Sequence, residues 1–203
     1  MTGKPYSNYT AAILAGGDSK RFDGKIKPLL PFRNKSILQN QLEVLIPLFP
    51  EILLITNSPD KFANHTDFII HTDIIPHKGP LSGIHTALKK SSHDWVFIVA
   101  GDMPFINTET ISSQIRDTWE AECDAVIPLV KNNIEPLHGV YHKKVIGKLE
   151  SLLQSGKESS VKKFLKTINT VYWELNDDVP FMNINTPEEL RHYEKSGHYQ
   201  NRK

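Results

Sequence analysis

Cysteine occurs once in these 203 residues, at Cys123. No disulfide can form within the chain and no cysteine cage for a metal can be assembled, which suits a reducing compartment. Long apolar runs are also missing: none approaches the roughly 20 residues of a membrane span. The opening MTGKPYSNYT has no apolar stretch of signal-peptide length. The expected location is therefore the cytoplasm, with no membrane partner. Net charge is close to zero, +1 from 24 basic and 23 acidic side chains, so nothing global points to nucleic acid. The nine histidines are scattered. His138 and His142 are four apart, but PLHGVYH reads as a strand and not as the Glu-bearing helix of a zinc site. Two nucleotide signatures are absent too. No Gly-Lys-Ser/Thr follows the first glycines, and there is no G-x-G-x-x-G.

What is present is an apolar content of 39%, enough for a core. The length fits one domain over residues 1–203, with an ordered core of about 9–195 between short tails. The first two thirds alternate between strand-like and helix-like segments. Tyr9 to Ala15 is a short apolar run. Over 36–49, Ile37, Leu38, Gln41, Leu42, Leu45 and Ile46 share one helical face, ended by Pro47 and Pro50. EILLIT, DFII, DWVFIVAGD and DAVIPLV read as strands, and GPLSGIHTALKKSS and residues 107–121 as helices. Asn107 is the expected N-cap of the second helix. Farther on, EPLHGVYHKK reads as a strand leading into the helix VIGKLESLLQSG, TVYWEL and FMNIN as strands, and SVKKFLK as a short helix. Thr186, Pro187 and Glu189 form a capping box at the last helix. Such alternation predicts a doubly wound α/β domain with a mainly parallel sheet flanked by helices. Ligands of such sheets bind beyond the carboxyl ends of the strands. The polar residues in that position are Gly16 and Gly17, Asn57, Asp73, and Gly101 with Asp102.

The stretch LAGGDSKRFDGKIKPLLPF, residues 14–32, sets three glycines and the cations Lys20, Arg21, Lys25 and Lys27 between two apolar segments. Gly16 and Gly17 let backbone amides approach a ligand with no Cβ in the way, and successive amides can form an anion nest. Arg21 offers a planar fork to phosphate oxygens, and Lys27 is anchored by the apolar segment after it. The alternative is a solvated basic loop. Asp102 is placed either to hold Mg²⁺ against a phosphate or to cap a turn. Asp73 could accept hydrogen bonds from a base or ribose, or make an Asx turn. Asn183 and Asn185 alternate with Met182 and Ile184, which puts both amides on one face of the expected strand. They could complete a metal site, orient an acceptor phosphate, or cap the following helix. Gly79 and Gly83 flank Pro80, either in a helix start or where backbone approaches a ligand.

Taken together, LAGGDSKRFDGKIKPLL, GPLSGI, GDMPFI and NINTPEEL, in that order, resemble four motifs of the molybdenum cofactor guanylyltransferases, the MobA type. The resemblance runs from about Thr10 to Leu190. It implies a Rossmann-like nucleotidyltransferase fold that joins GMP from GTP to the phosphate of molybdopterin with Mg²⁺ and releases pyrophosphate. Leu14, Ala15, Gly16 and Gly17 would contact the nucleotide, as would Asn57, Asp73 and Gly79. Arg21 matches the loop arginine, Lys27 the lysine of the first motif and Asp102 the metal-binding aspartate. Asn183 and Asn185 match the N-x-N of the acceptor side. Phe22 stands where Met is commoner, Asp23-Gly24 replaces the usual Gly, and Ile26 stands where many members have Asp.

The chemistry is consistent with that resemblance. Displacement at phosphorus needs positioning and charge neutralisation, and an ionised acceptor phosphate needs neither a protein nucleophile nor a general base. A neighbouring transferase is the first alternative, either a molybdopterin cytidylyltransferase, whose relatives tend to read L-A-A-G at the first motif and lack G-P-L-x-G-I, or a sugar-nucleotide pyrophosphorylase, which is usually longer and carries an extra domain. A nucleotide-binding adaptor that has lost catalysis would have no use for Arg21, Lys27 and Asp102 together. The resemblance also implies transient contact with molybdopterin-donating proteins and with molybdoenzyme apoproteins.

Overall fold

The structure, a computed structural model, describes residues 3–16, 22, 26–63, 65–120, 122–155 and 159–195. The chain starts with β1 (Tyr9–Leu14), every residue of which is buried. A single 3-10 turn, Lys27–Leu29, leads into the small hairpin β2 (Pro31–Phe32) and β3 (Lys35–Ser36). Helix α1 (Ile37–Leu45) follows. There Ser36 and Gln39 form a reciprocal capping box, and Ile37, Leu38, Gln41, Leu42 and Leu45 face inward. Next come β4 (Glu51–Ile55), β5 (Ile69–His71), α2 (Pro80–Lys90), β6 (Trp95–Ala100) and α3 (Thr108–Glu120). The C-terminal third holds β7 (Ala125–Val130), β8 (Asn133–Ile134), β9 (His138–His142), α4 (Ile146–Gln154), α5 (Val161–Leu165), β10 (Thr170–Leu175) and α6 (Pro187–Lys195).

The main sheet has eight strands in the order β10-β7-β9-β6-β1-β4-β5, with β8 paired to β7. β1 lies parallel between β4 and β6, in register from Thr10 opposite Glu51 and Val96 to Leu14 opposite Ile55 and Ala100. β4–β5 and β7–β10 are also parallel. β9 runs antiparallel between β6 and β7, so the expected mainly parallel sheet is there, with an antiparallel insert. The chain winds β1-α1-β4 to one side, returns through α2 to β6 on the other side of β1, and so creates a switch point at the sheet centre.

Burial on both faces explains why β1 reads as an unbroken apolar run. Ala11 and Ile13 belong to the core under α1 and α3, with Leu38, Leu42, Leu45, Ile111 and Ile115. Ala12 and Leu14 belong to the opposite core under α2, α4 and α5, with Ile84, Leu88, Leu149 and Phe164. A third, smaller cluster joins Phe22, Phe32, Ile37, Phe105 and Ile184, with Leu190 and Tyr193 of α6 packed against it.

The caps expected at Asn107 and Thr186 are in place: Asn107 Oδ1 accepts from the Thr110 N–H at 2.9 Å and Thr186 Oγ1 from the Glu189 N–H at 3.2 Å. One expected element is absent. Residues 182–185 form no strand; their backbone turns to the neighbouring loop, and the Ile184 N–H donates to the Asp102 carbonyl at 2.9 Å. Two tight hairpin turns were not expected. Arg33-Asn34 and Lys131-Asn132 both take positive φ, between 49° and 68°, the turn geometry that matches strand twist but usually advertises itself by glycine. His138 and His142 sit on β9, so the pair belongs to a strand.

His138 is completely buried. The Gln114 Nε2 donates to the Val126 and His138 carbonyls, each at 2.9 Å, leaving Oε1 to face His138 Nδ1 at 3.1 Å. That oxygen can only accept, so Nδ1 carries a proton, and complete burial with Nε2 unpartnered among the described residues favours the neutral ring. Burial pushes its pKa down from 6.5 to about 4. The unfolded chain then binds the extra proton first as pH falls, so stability is full above about pH 6.5 and declines toward pH 4. The expected loss is on the order of 2 to 3 kcal/mol. Burial lowers His71 and His142 in the same direction. Urea unfolding at pH 7 and pH 5 checks this, with His138→Gln expected to be less stable at pH 7 and to show a flatter dependence on pH.

Candidate active site

A cleft of about 840 Å³ opens beyond the carboxyl ends of β1, β4, β5 and β6. Each strand contributes the residues just past its end. Leu14 ends β1 and Ala15 and Gly16 follow it, and Thr56, Asn57 and Ser58 follow β4. Asp73 and His77 follow β5, and Gly101 and Asp102 follow β6. Gly79 and Pro80 begin α2 at the rim, and Lys27 with Pro28 closes the near side.

Hydrogen bonds tie these loops together. The Ala15 N–H donates to the Ile55 carbonyl at 2.8 Å, and the Gly101 N–H to the Leu14 carbonyl at 2.9 Å. The Asn57 Nδ2 donates to Asp73 Oδ2 at 2.8 Å, while the Asp73 N–H donates back to Asn57 Oδ1 at 3.3 Å. Two residues 16 positions apart are thereby held as one unit on the wall beyond β4 and β5. The loop from Asp73 to Gly79 is fastened to α2 by two buried hydroxyls: Thr86 Oγ1 accepts from the Ile74 N–H and Ser82 Oγ from the Lys78 N–H.

Lys27 organises the opposite wall. Its Nζ donates to Asp102 Oδ2 at 2.8 Å and to Asn185 Oδ1 at 2.9 Å. The lysine and aspartate side chains are each 21% exposed, so the ion pair stays in reach of the cleft. Three residues spread over 158 positions of sequence thus meet at one ammonium group. The expected pairing of Asn183 with Asn185 on one strand face is corrected, because the segment is not a strand. Asn185 turns to Lys27, whereas Asn183 Oδ1 is buried without a hydrogen-bond partner among the described residues. Capping of α6 falls to Thr186 instead.

The glycines play different parts. Gly79 has φ 59° and ψ −145°, a conformation open to glycine almost alone, and Pro80 starts α2 immediately after it. A Cβ on Gly101 would lie 2.6 Å from Pro28 Cγ and 3.2 Å from the Leu14 carbonyl oxygen, so only glycine lets β6 end against the Lys27 turn. At Gly83 the close neighbour is protein: a Cβ would sit 3.1 Å from both Leu14 methyls. At Gly16 a Cβ would meet no atom of the described residues within 4 Å.

Of the residues singled out in the sequence, Leu14, Ala15, Gly16, Lys27, Asn57, Asp73, Gly79 and Asp102 all line this one cleft. Gly17 and Arg21 lie outside the described residues. Sequence reasoning missed Thr56 and Ser58, which are ordinary residues after a strand. It also missed His77, which lines the cleft with φ 63° and so carries a left-handed backbone without being glycine.

A mainly parallel, helix-flanked sheet with a cleft at its switch point, beside a lysine–aspartate pair, is the ligand-binding architecture of doubly wound α/β proteins. Within that class, the chain belongs to the family of the MobA-like NTP transferase domain, whose model matches residues 11–171. The molybdenum cofactor guanylyltransferase of Vibrio parahaemolyticus is 32% identical over 182 residues, covering 89% of this chain and 92% of its own. That of Syntrophotalea carbinolica is 32% identical over 200 residues, covering 93% and 91%. The crystal structure of molybdopterin-guanine dinucleotide biosynthesis protein A from Archaeoglobus fulgidus superposes with a TM-score of 0.79 at 26% identity, over 92% of this chain and 97% of that one.

The contact between Gly101 and Pro28 is directly testable. Gly101→Ala forces the ring and the Asp102 turn apart, and overpacking of this kind costs about 1–3 kcal/mol. Thermal unfolding is expected to register that loss; a melting temperature equal to that of the wild type would mean the turn yields without resistance.

Proposed function

We propose that this chain transfers GMP from GTP to the phosphate of molybdopterin, forming the molybdopterin guanine dinucleotide and releasing pyrophosphate. The observation that carries the reading is the meeting of Lys27, Asp102 and Asn185 at one corner of a cleft whose other wall holds the Asn57–Asp73 unit. One corner suits charge and phosphate; the other suits a base and sugar.

In the reaction an anionic oxygen of the acceptor phosphate attacks the α-phosphorus of GTP. The bond from that phosphorus to the bridging oxygen breaks, and pyrophosphate leaves with the electron pair. The protein has to bring two anions together, so its task is positioning and neutralisation. Lys27 and Arg21 are assigned to the triphosphate. Leu14, Ala15, Gly16 and Gly17 are assigned to backbone contacts with the nucleotide. Asn57, Asp73 and Gly79 are assigned to the base and ribose side, and Asn183 and Asn185 to the acceptor side.

The donor set fits Mg²⁺. The described residues contain no group of three or more His, Cys, Asp or Glu that could cage a metal. Mg²⁺ prefers one or two carboxylates with substrate phosphates and water, which is what Asp102 beside a triphosphate would provide. Asp102 would hold the ion, which when bound neutralises phosphate oxygens. Lys27 would then give up its pairing with Asp102 in favour of the phosphates. No helix among the described residues is long and apolar enough to cross a membrane. We place the activity in the cytoplasm, where GTP is available, with transient contacts to the proteins that supply molybdopterin and receive the product.

Pyrophosphate release with molybdopterin and Mg²⁺, measured in turn with GTP, CTP and ATP, tests the assignment. GTP is the expected substrate, and a preference for CTP would make the chain a cytidylyltransferase. Lys27→Ala and Asp102→Ala are each expected to lower the rate on the order of 10²–10³-fold with the fold retained. Unchanged turnover in both variants would overturn the proposed site, and nucleotide binding without turnover would favour the adaptor.

A further inference from the structure

Behind the cleft, and outside its lining, the α1 residue Gln41 has a side chain with no exposure to solvent. It lies on the apolar face of its helix, among Leu38, Leu42 and Leu45. Burying an amide in such a place is unfavourable unless it is hydrogen-bonded. Its two N–H donors are used on one short turn: Nε2 donates to the Ala100 carbonyl at 2.8 Å and to the Met103 carbonyl at 2.9 Å. These carbonyls bracket Gly101 and Asp102.

The geometry points to Gln41 as the positioning residue of the Asp102 carboxylate. This inference rests on the reading of Asp102 as the metal-holding group. Within the turn the Met103 N–H donates to the Ala100 carbonyl at 3.3 Å, and the Ala100 N–H donates to the Leu137 carbonyl at 2.8 Å; the remaining backbone ties lead to other parts of the site. The Gly101 N–H donates to Leu14 at the end of β1, and the Asp102 carbonyl accepts from Ile184, between the two asparagines. Gln41 adds the side-chain support from below, on the two carbonyls at the ends of the turn. The Asp102 side chain is left with Lys27 and the cleft. A pair of hydrogen bonds from one planar amide fixes the direction of the turn as well as its position. A carboxylate that serves as a lone protein ligand needs that fixing more than one held among several ligands does.

Gln114 provides a control of equal burial, although its Oε1 also faces His138 Nδ1 while Gln41 Oε1 has no hydrogen-bond partner among the described residues. Gln114 likewise donates through Nε2 to two carbonyls, those of Val126 and His138, away from the Asp102 turn. Gln41→Met and Gln114→Met each keep side-chain length and remove two buried donors, so both are expected to lower the melting temperature. They differ at the metal. Mn²⁺ binding to the full chain with GTP, without acceptor, can be followed by electron paramagnetic resonance. Gln41→Met is expected to weaken Mn²⁺ roughly 10–100-fold, the usual effect of removing a group that orients a metal ligand, while Gln114→Met keeps the wild-type affinity. In the Mg²⁺ reaction, Gln41→Met is expected to lower kcat while KM for GTP at saturating metal stays near wild type. If Gln41→Met does not fold, Gln41→Glu fills the same volume with at most one donor for the two carbonyls and is read in the same way.

Asp102→Ala separates the two levels of inference. If it abolishes Mn²⁺ binding but the Gln41 variant binds Mn²⁺ like the wild type, the role of Gln41 is overturned and Asp102 keeps its own. If Asp102→Ala binds Mn²⁺ like the wild type, the metal role of Asp102 falls, and that of Gln41 with it. Equal weakening in the Gln41 and Gln114 variants would reduce Gln41 to general support of the core and overturn the inference.

Discussion

The hydrogen bond from the Gly101 N–H to the Leu14 carbonyl joins the ends of β1 and β6, and the whole cleft is built outward from that junction. It continues the parallel ladder one step beyond the strands and forces the two loops to leave the sheet side by side. The approach is possible because Gly101 has no Cβ to strike Pro28 or the Leu14 carbonyl. Once the junction is made, Asp102 stands next to the turn that begins with Lys27. The 182–185 segment can reach both, because Ile184 bonds to Asp102 through its backbone. A geometric constraint at one glycine thus decides where the charged groups of the site meet.

Electrostatics then accounts for the state of that corner. Half-buried cations and anions are unfavourable apart, and Lys27, Asp102 and Asn185 satisfy one another. The same arrangement suits an enzyme that works on phosphates. An ammonium held by a carboxylate and an amide can be transferred to phosphate oxygens without a new charge having to be brought in from water. On the other wall, the reciprocal Asn57–Asp73 pair and the two hydroxyls of α2 hold polar groups in place before any ligand is present, a preorganisation that removes ordering cost from binding.

Much of this was legible along the chain. Period and punctuation located the helices and the central strands, and their alternation located the sheet. The rule that ligands sit past strand ends then selected Gly16, Asn57, Asp73 and Asp102. Capping residues such as Asn107 and Thr186 announced their helices, since local hydrogen bonding needs only residues three apart. The failures were of another kind. FMNIN alternates like a strand, yet no neighbouring strand is there to accept it, and its backbone bonds to a loop instead. Arg33-Asn34 and Lys131-Asn132 make tight turns without glycine, so asparagine was their only local mark. Gln41 was visible as a polar residue on an apolar face, but what its amide holds depends on carbonyls 59 and 62 positions away.

The sequence by itself determined the class of fold, the run of motifs and the residue types available for charge neutralisation, because periodicity, capping and turn chemistry act over a few residues. Only the tertiary structure decided which of those residues meet. Lys27 finds Asp102 and Asn185 across 75 and 158 positions, and Asn185 rather than Asn183 turns to the lysine. The physical reason is that a hydrogen bond acts over about 3 Å, and at that range only the packing of strand ends, through Gly101 and Pro28, determines which side chains are neighbours.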